Sequence, residues 1–518
     1  MIRSFVTVLS GTLASRLLGF IRDALMAALL GAGPVADAFL AAFQLVNVIR
    51  RLLTEGALNA ALVPAWLRIY QQAGTNQAAA FAGRVLGTVS VGLLAATLVL
   101  AALMPLAMTV LAPGFAGDET LTFAVSNARL MLPYLAFAGP STVLLALSSA
   151  QRRFALTAFA PLLFNVALIA MTIVLLMQHP DPPRAALLLA ATIGAAGLLQ
   201  LAILAQRRGG AAVAWPIRVS VDAEMRSFFG KALPGMVASA GPQLLAVGGA
   251  IIASATPSAV SWLYFANRLI ELPLGLVGVA MGTVLVPELT RALHAGDHKA
   301  LAEVQSRGLE LTIGLALPAS LGLIILNEPV VRLLFEHGAF TRADAMATAQ
   351  VLSWLAAALP AQVLTKALQP AFFAREDTRT PLHATLIGCA TAIALAFLLA
   401  QPFGTAGIAA GLALGAWANA AVLIRRGAAS FGFALSHQSR SRLPRIVLAA
   451  AIMGAALWAV ETRLGEFSDS HAGAAALLAA LIGGAMLLYA ALLTFLGVVS
   501  WRDTVRAIRQ RPARDLHL

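Results

Sequence analysis

The chain has 518 residues, 60% of them hydrophobic and only 11% charged, with a formal net charge of +13. A soluble domain carries about 25% charged residues, so a soluble enzyme is excluded and an integral membrane protein is expected. The single cysteine, Cys389, lies in an apolar run, which excludes a disulfide framework and a cysteine metal site.

Apolar runs of about 20 residues, each long enough to cross roughly 30 Å of hydrocarbon as a helix, recur along nearly the whole chain. The first begins almost at Met1. It lacks a small-residue cleavage site followed by a polar mature chain, so it reads as a retained helix. The runs predict about fourteen helices, centred near Leu18, Val48, Leu94, Phe137, Ile169, Ile193, Leu245, Leu276, Leu315, Leu355, Ala392, Leu412, Gly454 and Ile482. The fold class is therefore an all-α polytopic membrane protein.

Short basic loops stay cytoplasmic, and here they alternate. Arg68 and Arg84, Arg152 and Arg153, Arg207 through Lys231, Arg291 through Arg307, Arg375 and Arg379, Arg425 through Arg445, and Arg502 to Arg514 fall in every second loop. The loops between, such as APGFAGDET and ETRLGEFSDSHAG, are acidic or nearly neutral. Both termini are expected in the cytoplasm. The positive net charge thus marks a cytoplasmic membrane surface, and no basic face on a soluble module exists for nucleic acid.

An internal repeat organises the helices. NAALVPAWLR from Asn59 matches GTVLVPELTR from Gly282, PLAMTVLAPGF from Pro105 matches PVVRLLFEHGAF from Pro329, and LPYLAFAGPSTVLLALSSAQRR from Leu132 matches LPAQVLTKALQPAFFAREDTR from Leu359. The order is kept, with offsets of 223, 224 and 227 residues. Two parallel, pseudo-symmetric six-helix lobes are expected over residues 1–215 and 216–435. Two further helices follow over 436–500, then a basic cytoplasmic tail over 501–518. Paired repeats of this kind are a common transporter plan, with the binding site at their interface.

Ionised residues interrupt three of these segments. An Arg or Asp near a bilayer centre costs about 2.5 to 3.5 kcal/mol on insertion scales, so such groups face a bundle interior or a watery cavity. Arg16 and Arg22 fall roughly 18 and 27 Å along the first helix at 1.5 Å per residue, and snorkelling at a helix end explains one of them but not both. The first helix also carries Asp23, which shares a face with Arg16. The second adds Asp37, Asn47, Arg50, Arg51 and Glu55, and the eighth adds Asn267, Arg268 and Glu271.

Two readings of these groups stand open. In one, Arg22 pairs with Asp23, Arg50 or Arg51 with Glu55, and Arg268 with Glu271, and the pairs lock helices together. In the other, some of the arginines face a central hydrated cavity and bind an anion. The planar guanidinium fork suits phosphate oxygens, and the excess of Arg over Lys at depth, where only Lys366 is comparable, favours phosphate or diphosphate. Arg51 has the further option of snorkelling or pairing elsewhere.

At these residues the chain resembles a known family. SRLLGFIRD at Ser15 to Asp23, GAGPVADAF at Gly31 to Phe39, NVIRRLLTEGA at Asn47 to Ala57, and SWLYFANRLIELPLG at Ser261 to Gly275 are similar to the first, second and eighth helices of the MurJ/MviN lipid II flippases. The resemblance runs from about Thr12 to about Asn419. It implies fourteen helices, two lobes around a cationic cavity, and a groove near the last two helices for a polyprenyl tail. It also implies translocation of lipid-linked peptidoglycan precursor, lipid II, across the bacterial cytoplasmic membrane by alternating access, among membrane lipids and alongside the cell-wall synthesis machinery. Arg16, Arg22, Asp37 and Arg50 are then the functional charges. Asp23, Asn47, Glu55 and Arg268 are their neighbours in binding substrate, and Arg51, Ser261, Asn267 and Glu271 are gate or secondary residues.

Two positions depart from the family pattern. Asn267 stands where many relatives have an acidic residue before the arginine. Gly249 and the carboxylate-free segment LHATLIGCATAIALAFLLA stand where some relatives supply sodium ligands, and a hard cation needs several oxygens. Turnover is therefore expected to follow membrane potential and ignore sodium. No Walker A motif, HExxH or spaced His/Cys set is present, so neither an enzyme nor a cofactor is expected. GAGPVADAF reads as a turn between two helices, and His383 as a boundary residue. A drug antiporter would want acidic cavity groups, and a related polyprenyl-diphosphate glycan is an alternative substrate.

Overall fold

A computed structural model of the chain describes residues 2–499 other than 55–56, 152–153, 207–213, 221, 239–240, 281–287, 289–290, 292–297, 374, 376, 432–435 and 465–469. Among the described residues the regular structure is helical and contains no strand. All fourteen expected helix centres fall inside helices. Eight helices are long and apolar enough to cross a membrane, among the described residues.

The chain divides into two compact units. The first comprises residues 1–265, 335–345 and 400–408. It holds α1 (Ile2–Leu30), α2 (Pro34–Thr54), α3 (Ala57–Ala102), α4 (Met104–Leu111), α5 (Glu119–Met131), α6 (Pro133–Ala150), α7 (Phe154–Gln178), α8 (Pro182–Gln206), α9 (Ala223–Ala238), α10 (Gly241–Ala253) and the start of α11 (Ala259–Ala280). Within it α1 packs on α7, α2 on α5, and α6 on both α3 and α8. One of its cores joins Phe81, Val85 and Leu86 of α3 to Val143 and Leu147 of α6 and to Met225 and Phe228 of α9.

The second unit comprises residues 266–334, 346–399 and 409–518. Its helices are the rest of α11, α12 (His298–Ile325), most of α13 (Asn327–Phe335), α14 (Arg342–Phe373) and α15 (Arg379–Phe431), then α16 (His437–Leu464) and α17 (His471–Phe495). Here α12 packs on α16, and α16 on α17. The Tyr489 hydroxyl of α17 donates to the Gly314 carbonyl of α12 at 2.9 Å. Ser439 of α16 donates to Glu310 of α12, and Arg442 reaches the same carboxylate at 3.5 Å.

Two of the longest helices are each two spans joined at a glycine. The 46-residue α3 breaks at Gly74 and the 53-residue α15 at Gly404, both with positive φ. Local structure also repeats along the chain. The short helices α4 and α13 begin at Met104 and Asn327, and α5 and α14 at Glu119 and Arg342, each pair 223 residues apart. Periodicity alone had not marked α4 and α13 as separate, because α4 restarts at Pro105 inside an apolar run and α13 is only nine residues long. The second copy of the LVP motif, 282–291, lies largely outside the described residues, as does the tail 501–518.

Candidate functional site

The turn GAGPVADAF sets the geometry of the first cluster. α1 ends at Leu30, Gly31 adopts φ +66°, and α2 restarts with Pro34 in its first turn. A Cβ on Gly31 would stand 2.5 Å from the Ala339 carbonyl oxygen, and one on Gly338 (φ +58°) 2.3 Å from that of Ala28. Backbone meets backbone here, with Ala339 N–H donating to Ala28 at 2.8 Å. Only glycine permits both the approach and the left-handed conformation.

One turn into α2, Asp37 is buried and accepts hydrogen bonds from the backbone N–H and the hydroxyl of buried Ser261, at 2.9 and 2.5 Å. Ser261 lies in the first turn of α11, where backbone N–H groups lack helical partners, so the Asp37 carboxylate caps a helix from another segment of the chain. Beside it, Trp262 Nε1 donates to Asp344 at 3.1 Å. Asp344 in turn closes a capping box at the start of α14, accepting from the Thr341 N–H at 3.0 Å and its hydroxyl at 2.6 Å. Phe20, Phe265, Phe335 and Phe340 fill the space around this junction, with ring centroids 5.2 to 6.1 Å apart.

The second cluster surrounds Arg22. Its guanidinium bonds Asp23 through Nε at 2.8 Å and Nη2 at 2.6 Å, and donates through Nη1 to Asn165 of α7 at 3.0 Å. The rings of Phe43 and Phe164 lie 5.2 and 5.7 Å from it. Asn165 also donates to the Ser15 carbonyl at 3.1 Å, and the Tyr264 hydroxyl donates to Asp23 at 3.1 Å. Arg22 and Asp23 are 6% and 0% exposed, so both charges are withdrawn from solvent and satisfied by each other and by neighbouring polar groups.

The remaining candidates lie as follows. Arg16 is exposed on α1. Arg50 is half-buried and donates through Nε and Nη2 to Asn47 at 3.0 and 2.8 Å, while Arg51 is half-buried beside it. In the second unit Arg268 pairs with Glu271 at 2.7 Å, both partly exposed, and Asn267 is exposed. Glu55 lies outside the described residues. Gly249 is buried in α10, and His383 is exposed near the start of α15.

Asn165, Tyr264, Trp262 and Asp344 were not among the sequence candidates. Asn165 carried a signal, since it is a lone amide in the apolar run PLLFNVALIAM, and a polar group in a span needs a partner. Tyr264 and Trp262 look like ordinary interfacial aromatics until the fold brings carboxylates to them.

Long apolar helices with a few ionised side chains held by specific partners define a polytopic helical membrane protein. The family model for lipid II flippase MurJ matches residues 26–471. A Rhizobium meliloti protein named probable lipid II flippase MurJ is 38% identical, with the alignment covering 98% of this chain and 96% of that one. A Burkholderia cenocepacia protein named lipid II flippase MurJ is 32% identical over 81% of this chain and 82% of its own length. A solved structure titled lipid II flippase MurJ, inward closed conformation, superposes with a TM-score of 0.80 at 20% identity, covering 97% of this chain and 100% of the other. An inward-facing multidrug resistance MATE family transporter of the MOP superfamily follows with a TM-score of 0.67 at 14% identity, covering 83% and 95%, and shares the fold. The chain belongs to the MurJ lipid II flippase family.

Proposed function

We propose that this protein moves lipid II, the undecaprenyl-diphosphate-linked peptidoglycan precursor, from the cytoplasmic to the periplasmic leaflet of the bacterial inner membrane. Family membership over residues 26–471 carries the reading. The work is transport by alternating access, with no covalent step. Arg16 is the foremost candidate for the diphosphate, because it is exposed on α1 and carries the fork that grips phosphate oxygens. Arg50, oriented by Asn47, is the second. Arg268, steadied by Glu271, is the third, assigned from its own unit. Arg22 has a different role in this reading: with its fork engaged by Asp23 and Asn165, it positions α1 against α7.

The Asp37–Ser261 junction, with its glycine contacts, is the element we assign to gating. It is compact and joined by hydrogen bonds that can break and re-form, with Phe20, Phe265, Phe335 and Phe340 packed around it. The basic loops place both termini in the cytoplasm in this reading, and the gate then lies on the periplasmic side. The membrane potential biases the cycle.

The test is complementation. A strain depleted of its own lipid II flippase should grow when this chain is expressed. Lysis despite normal amounts of the protein in the membrane would overturn the reading.

A further inference from the structure

Between α8 and α9 the non-helical segment 214–220 crosses α3 and is bonded to it along its length. The Trp215 N–H donates to the Ala79 carbonyl at 3.1 Å, and the Arg218 N–H to Gly83 at 3.4 Å. Ser220 N–H donates to the Thr88 hydroxyl at 3.1 Å, and that hydroxyl to the Ser220 carbonyl at 3.2 Å. Carbonyls of Pro216 and Arg218 sit where a Cβ on Gly83 or Gly87 would be, at 2.2 and 2.5 Å, so those glycines make room for the crossing. Just beyond, Arg84 pairs with Asp222 at 2.7 Å and Glu224 at 2.6 Å, tying the start of α9 to the same stretch of α3.

The alternate side chains of this strap point away from α3. Trp215, Ile217 and Val219 are 61%, 43% and 56% exposed, an unusual row for a segment outside the spans. Their direction follows from α3. Gly83, Gly87, Val91, Leu94 and Leu98 are spaced by four, four, three and four residues. At 100° per residue they share one face within an arc of about 80°. Val91, Leu94 and Leu98 are exposed apolar side chains on the α3 membrane span, so that face meets lipid. The strap covers one end of the same face, over Gly83 and Gly87. Exposed Arg218 lies within the row, between Ile217 and Val219, and exposed Arg226 follows it in the first turn of α9.

We propose that the strap is a lipid-binding element. Trp215, Ile217 and Val219 enter the boundary between headgroups and acyl chains, and Arg218 and Arg226 gather anionic phospholipid headgroups there. A Trp at the interface, apolar neighbours directed inward and cations at headgroup level are what such a layer accommodates. Because the strap carries the start of α9, headgroup charge acts on the position of that helix.

The experiment uses the full chain with Cys389→Ala and Ile217→Cys, labelled with an environment-sensitive fluorophore, in nanodiscs whose two leaflets share one composition. The result then does not depend on the direction of insertion or on substrate. Phosphatidylcholine and phosphatidylglycerol nitroxides, with the spin label near the top of the acyl chain, are compared at equal mole fraction. Blue-shifted emission is expected, with quenching by the phosphatidylglycerol nitroxide stronger by on the order of fivefold per arginine. Arg218→Gln with Arg226→Gln should make the two quenchers equal while the blue shift remains. Quenching by aqueous iodide with no effect of lipid nitroxide would overturn the proposal, and so would equal quenching by both lipids in the arginine-containing protein.

Discussion

Breaking the Arg22–Asp23 pair has a consequence that can be worked from its burial. Both residues are under a tenth exposed. Asp23→Leu therefore strands a positive charge among Phe43, Phe164 and Asn165, and losing one partner of a buried ion pair costs about 3 to 5 kcal/mol. Arg22→Leu removes the guanidinium from the buried carboxylate, which retains the Tyr264 hydroxyl, and falls in the same range. With both replaced, no buried charge remains. The residual cost is the single hydrogen bond that each of Asn165 and Tyr264 loses, about 1 to 3 kcal/mol. The double variant should then be more stable than either single one, with a coupling energy of about 3 kcal/mol or more. Equilibrium unfolding in mixed micelles, with the denaturing detergent fraction raised stepwise, measures all four corners of the cycle. Costs that add to within about 0.5 kcal/mol would refute the reasoning, because independent sites behave that way and a shared buried pair does not.

Three further outcomes are expected. With Cys389→Ala as background, Ser441→Cys should resist an impermeant thiol reagent added outside intact cells and react after permeabilisation. Ser441 is exposed, whereas neighbouring Ser439 is buried against Glu310 and would report nothing, and labelling from outside would reverse the assigned topology. Arg16→Ala and Arg268→Ala should each abolish complementation at normal membrane abundance, with Lys a poor substitute because it cannot form the two-pronged contact; full growth of both Ala variants would remove these residues from substrate binding. In vesicles with potential and sodium set independently, transport should follow the potential, worth about 2.3 kcal/mol per unit charge per 100 mV. A rate that tracked the sodium gradient at fixed potential would show a cation site built from hydroxyl and carbonyl oxygens.

How much of this was legible beforehand depends on the range over which each feature is encoded. Helix positions were readable because a bilayer forces every span to be a self-satisfied, apolar run of about 20 residues, a constraint local in sequence. The division of one run into two helices was not. Pro105 restarts a helix inside an apolar run, whereas the breaks of α3 and α15 lie at Gly74, within the polar stretch 71–77, and at Gly404, between the expected centres Ala392 and Leu412. The ionised residues stood out for the same local reason that the spans did, since a charge in an apolar run is conspicuous.

The partners of those charges belong to the tertiary structure. Arg22 and Asp23 are adjacent in the chain, and their pairing was one of two open readings. Asn165, 143 residues away, and Tyr264, 241 away, complete the cluster only because α7 packs on α1 and the start of α11 brings Tyr264 to Asp23. Asp37 was recognisable as important from its motif, but its task of capping a helix 224 residues later required the fold. The strap is the furthest case. WPIRVS reads as a loop, and neither Gly83 nor Gly87 announces that a backbone will lie on it. What the chain determined alone was which segments enter the membrane and which charges they carry, because water and hydrocarbon sort residues one segment at a time. Which charge meets which partner was left to packing, where a hydrogen bond of about 3 Å is set by atoms hundreds of residues apart.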